Sequence, residues 1–158
     1  FTLDALRSGV LGETLTLLRS LYDLVLVDLS TSGLGMWEEA LLRASAAVLV
    51  SGDAAPCAQH LETVLGWMDR IGLRSLVRGV ARVNLSPDSA RGQRVSVGDQ
   101  AGLEVLGVIP FAPSCVQAAL AARVPVAWSH PAGELARAYE RLAASLHAVP
   151  VASPNGPG

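Results

Sequence analysis

Ala46-Ala47-Val48-Leu49-Val50-Ser51-Gly52-Asp53-Ala54-Ala55-Pro56 is the stretch that decides the fold: a short apolar run of strand length, a turn at Gly52 and Asp53, and a proline suited to the first turn of a helix. The helix is expected to run to about Arg70 and to stop at Gly72, with Ser75–Val83 following as another strand. Strand, helix, strand is a βαβ unit, whose right-handed crossover lays the helix on one face of a parallel sheet. The alternation continues in both directions. Upstream, a helix over residues 13–20 follows a break at Gly9 and Gly12. Asp23–Leu29 then reads as a strand buried on both faces, Thr31, Ser32, Gly33 and Gly35 as a turn, and Met36–Ala44 as a helix with Glu38 and Glu39 near its positive end. Downstream, Ser86–Gln100 is a polar loop, Leu103–Ile109 a strand, and Pro113–Arg123 and Ala132–His147 are helices. The expected fold class is therefore α/β, a mainly parallel sheet with helices on both faces in a Rossmann-like three-layer arrangement. Residues 1–147 form one domain in this reading, and the Pro/Gly/Ser-rich residues 148–158 a disordered tail.

Composition narrows the function classes. About half of the 158 residues are apolar, enough for a sizeable core, and a net charge of −2 supplies no general pull toward nucleic acid. The longest apolar runs are strand-sized, far below the ~18 residues of a membrane helix. Phe1 opens the sequence without a basic region, apolar stretch and cleavage site, which reads as a fragment or processed chain. Cys57 and Cys115 do not form a disulfide framework or a metal motif and read as the free thiols of a cytoplasmic protein. His60, His130 and His147 lack the spacing of a zinc site or a catalytic triad. All 12 basic residues are arginine, so the loop G-x-x-x-x-G-K-[ST], whose lysine reaches nucleotide phosphates, is absent from these residues.

Ligands of open parallel sheets bind beyond the carboxyl ends of the strands. Three such ends carry suggestive residues: Asp28 before Ser30-Thr31-Ser32-Gly33, Asn84 after the Ser75–Val83 strand, and Pro110-Phe111-Ala112-Pro113 after Ile109. A carboxylate at a strand end can hold Mg²⁺ or hydrogen-bond the following turn. An asparagine there offers a donor and an acceptor side by side, or simply forms a turn before Ser86-Pro87. The glycines serve a mobile segment or an ordinary loop, and the Pro-bounded turn needs no ligand to explain it.

Tyr22-Asp23-Leu24-Val25-Leu26-Val27-Asp28 resembles the Walker B strand of the MinD/ParA ATPases. Val105-Leu106-Gly107-Val108-Ile109-Pro110-Phe111-Ala112-Pro113, followed by Val116, Ala119-Leu120 and Val124-Pro125-Val126, resembles the last strand, adenine-side loop and helix of that family. Order and spacing agree over roughly residues 11 to 147. The resemblance implies a partial P-loop NTPase fold whose Walker A loop lies outside the sequence, with ATP and Mg²⁺ as cofactors. Asp28 takes the metal side, Gly33 the segment that senses the γ-phosphate, and Asn84 with Pro110, Phe111, Ala112 and Pro113 the adenine side. There are departures. Leu29-Ser30-Thr31-Ser32-Gly33 replaces a Thr-Pro-Pro-Gly-like segment, Ser45 replaces an Asp, and Leu85 replaces an Arg. These are similar to the divergent CpaE/TadZ-like and septum-site members.

The function implied is the C-terminal part of an ATPase of spatial organisation, acting in chromosome partition, septum placement or polar pilus and secretion assembly, and unable to hydrolyse ATP alone. The alternatives are a nucleotide-independent scaffold that dimerises and recruits partners, and a flavodoxin- or receiver-type binding module, the receiver being disfavoured without a lysine. Expected partners are ATP or ADP and a second copy or another protein. Arg74, Arg78, Arg82, Arg91 and Arg94 read as solvated arginines rather than a nucleic-acid patch. Trp37, Trp67 and Trp128 read as core residues or as anchors of a dimer contact. Val149–Gly158 has no Lys or Arg, so it lacks the basic amphipathic helix with which some family members bind membrane.

Overall fold

In chain order the computed structural model has α1 (Val10–Leu21), α2 (Leu34–Arg43), β1 (Ala47–Gly52), α3 (Ala55–Arg70), β2 (Val77–Val83), β3 (Val105–Ile109), α4 (Pro113–Ala122), α5 (Val126–Ser129) and α6 (Glu134–His147). Short 3₁₀ turns at Arg74–Leu76 and Pro87–Ala90 flank β2. The structure describes residues 10–29, 34–90 and 102–147. Gly33, most of the loop to Gln100, and the tail fall outside them. The chain divides into two units, Phe1–Ser45 and Ala46–Gly158.

The first unit pairs α1 with α2. The break expected at Gly12 is instead helical, and the reason is close approach. Gly12 is buried, its N–H donates to Glu39 Oε1 at 3.1 Å, and a Cβ there would run into the Arg43 guanidinium. Glu39 is not at a helix start as expected but inside α2, where it also lies 3.9 Å from Arg43. The strand expected over Asp23–Leu29 does not form. The segment has no strand pairing, and Leu24, Leu26 and Val27 are exposed, Leu26 by 81%. A strand is held by hydrogen bonds to a neighbour, and none among the described residues supplies them.

The second unit holds the sheet. β1, β2 and β3 lie side by side in that order, all parallel, with Leu49 opposite Val80 and Val83 opposite Ile109. Val80 and Val83, three residues apart on β2, point to opposite faces. Val80 packs with Leu61 and Leu65 of α3, while Val83 joins Ile109 and, from α6, Leu135 and Ala138. Helices thus cover both faces, as the βαβ pattern requires. The end of α3 is set by Gly72 at φ +73°, with Leu73 N–H donating to Met68 O at 2.9 Å and Gly72 N–H to Asp69 O at 3.1 Å, a Schellman closure. On the α6 side Gly107 is a contact point: an added Cβ would stand 3.3 Å from Leu142.

The boundaries shift by a few residues elsewhere. β2 begins at Val77 because Arg74–Leu76 tightens into a 3₁₀ turn, the last expected helix begins at Glu134 as α6, and the short helix α5 before it was not expected. Arg78 and Arg82 are half-buried on β2, each with a buried Nε that lacks a hydrogen-bond partner. Trp37 is buried and Trp67 half-buried, in line with core roles, whereas Trp128 is 78% exposed. Among the described residues no helix is long and apolar enough to cross a membrane.

Candidate functional site

The carboxyl ends of the three strands are tied together by two hydrogen bonds that fix Asn84. Its own N–H donates to Ile109 O, at the end of β3, over 2.9 Å. The next N–H, of Leu85, donates to Asp53 Oδ1 beyond β1 at 3.0 Å. With the backbone held on both sides, the carboxamide is positioned by the sheet rather than by a free loop. Its Oδ1 is buried and has no hydrogen-bond partner. An acceptor left so costs about 1–3 kcal/mol, which a ligand donor could offset.

Beyond Ile109 the chain turns through Pro110, Phe111 and Ala112 into α4. Ala112 is outside the helix at φ −143°, ψ 60° and cannot cap it with a side chain. Pro113 at the helix start has no N–H to leave unpaired, so the sequence starts a helix here without a polar cap. This turn, the end of β2 and one face of α6 border an open cavity of about 360 Å³. Asn84, Pro110, Phe111, Ala112 and Pro113 line it, so five residues separated in sequence by the polar loop and β3 converge on one space.

Gln117 of α4 and Leu135 and Tyr139 of α6 also line it, together with Val83, Ile109 and Val116. The sequence reading missed Gln117, Leu135 and Tyr139. A helical pattern places Leu135 and Tyr139 on one face, four residues apart, but does not say what that face meets. No lining residue carries a charge. The chemistry available is therefore recognition of a flat, largely apolar group with hydrogen-bonding edges. An uncharged cavity does not suit phosphate, whose binding calls for cations or aligned N–H groups.

The other two expected site residues are Gly33 and Asp28. Gly33 lies outside the described residues. Asp28 is exposed at the end of the unpaired segment of the first unit. Among the described residues no group of three His, Cys, Asp or Glu side chains could hold a metal ion.

No family model matches the chain, and no curated protein matches it. Among solved structures, the crystal structure of the cell division ATPase MinD of Pyrococcus furiosus superposes with a TM-score of 0.70 at 22% identity, over 87% of this chain and 56% of that one. The chain has a MinD-like, Rossmann-type α/β fold and spans little more than half the length of that protein.

Proposed function

We propose that the chain is the C-terminal part of a MinD/ParA-like nucleotide-binding domain and that the cavity beside Asn84 receives the adenine of ATP. The observation that carries this reading is the convergence of the Asn84 carboxamide, its oxygen buried without a hydrogen-bond partner, with the Pro110–Pro113 turn around an uncharged cavity of base-binding size. Adenine fits the donor set. Its exocyclic amine can donate to a carboxamide oxygen, while the ring nitrogen beside it accepts from the carboxamide N–H₂. A ligand N–H in the cavity would draw the buried oxygen round to meet it.

In this reading the phosphates are held by a Walker A loop outside these residues, and Mg²⁺ bound with ATP neutralises their charge. Asp28 supplies one carboxylate on the metal side, and Gly33 belongs to the segment that responds to the γ-phosphate. The residues present orient the base and contribute little to phosphoryl transfer, which depends on positioning and neutralising the phosphates. The 158 residues alone are therefore inactive as an ATPase. The biological role is spatial organisation, such as cell division or partition, with ATP-dependent dimerisation and a protein partner, in the cytoplasm.

The test is titration calorimetry of the full-length protein with ATP, with and without magnesium. Asn84→Ala should weaken nucleotide binding in both conditions, and Asp28→Asn only when magnesium is present. Leu85, where the family commonly has an arginine, favours a second reading as a nucleotide-independent scaffold. A full-length protein that binds no nucleotide yet dimerises would establish that reading instead.

A further inference from the structure

Aromatic residues make up only 4% of the chain, yet Phe111 and Tyr139 both line the cavity. Tyr139 stands apart from its neighbours on α6. Leu135, Ala136 and Ala138 are 4%, 1% and 2% exposed, while Tyr139 is 43% exposed. Leu135, one turn earlier on the same face, lines the same cavity and is buried, so Tyr139 is the exposed member of the pair. A tyrosine serving the core would bury its ring and pair its hydroxyl. Here the ring is half open beside an uncharged cavity, and no hydrogen bond of the hydroxyl occurs among the described residues.

We infer that Tyr139 is a base-stacking residue, presenting its ring to the flat face of the purine whose edge Asn84 reads. This rests on the proposed adenine site and adds the α6 residue that holds the base by its π face. Stacking needs an aromatic surface and not the hydroxyl, and it tolerates different bases. Asn84 then selects among purines, and Tyr139 sets how tightly any of them is held.

The experiment uses the full-length protein with adenosine as probe and ribose as control, followed by NMR titration. Stacking moves the adenine ring protons upfield through the ring current of Tyr139. Tyr139→Leu, which keeps apolar volume and the fold but removes the ring, should weaken adenosine binding ten-fold or more and abolish most of the upfield shift. Tyr139→Phe should bind within about two-fold of the wild type. If Tyr139→Leu binds adenosine as the wild type does while Asn84→Ala loses it, the stacking role is wrong and the adenine site stands. If the wild type binds adenosine no better than ribose, the adenine site is wrong and the stacking role falls with it.

Discussion

Asp23–Leu29 and Val105–Ile109 are two apolar runs of similar length, each with a charged residue at or just before its start, and they have opposite fates. The second is β3, hydrogen-bonded to β2 and covered by α6. The first has no strand partner among the described residues and exposes Leu24, Leu26 and Val27. The difference is not in propensity, since both are rich in valine and leucine. A strand is a relation between two segments, and only one of these runs has its neighbour among the described residues.

That contrast can be broken by substitution. The largest effect is expected for Leu106→Ala in β3, where a side chain only 6% exposed is removed; the cost should be about 2–5 kcal/mol in denaturant unfolding. A loss below about 1 kcal/mol would mean that β3 is not the anchored member of the pair. Gly107→Val probes the same strand from the α6 side. The first added carbon already stands 3.3 Å from Leu142, so displacement of α6 should cost about 1–3 kcal/mol, read as a lowered thermal midpoint.

A smaller effect is expected at the strand ends. Asp53→Ala removes the acceptor of the Leu85 N–H and should cost about 0.5–1.5 kcal/mol. Adenosine affinity should fall further than stability does, because Asn84 loses one of its two backbone ties. Equal adenosine binding by wild type and variant would show that the tie from Ile109 suffices. The smallest effect belongs to the unpaired run: Leu26→Ala should change stability by no more than about 0.5 kcal/mol in this chain. In a longer protein that pairs Asp23–Leu29, the same substitution should approach the cost of the Leu106 change, and that difference would reveal a partner strand directly.

Much of the second unit was legible because its signals are local. The apolar run at Ala46, the proline at residue 56, Gly72 as a helix stop and the Pro110–Pro113 turn each fix backbone conformation within a few residues. The rule that ligands lie beyond the carboxyl ends of parallel strands then pointed to Asn84 and Pro110–Pro113, which do line one cavity. Gly12 misled for the opposite reason. Its meaning lies in contacts with Glu39 and Arg43, far along the chain, and nothing local distinguishes a glycine that breaks a helix from one that lets two helices touch.

The sequence by itself therefore determined the α/β class, the order of strands and helices in the second unit, and the positions of the turns that end its strands, all of which follow from short-range periodicity and backbone restriction. Only the tertiary structure decided which apolar run became a strand, that Gly12 is a contact point, and that Gln117 and Tyr139 share a cavity with Asn84. Those outcomes depend on which surfaces meet. Pairing and packing join residues far apart in the chain, and a helical or alternating pattern records that a face is apolar without recording what covers it.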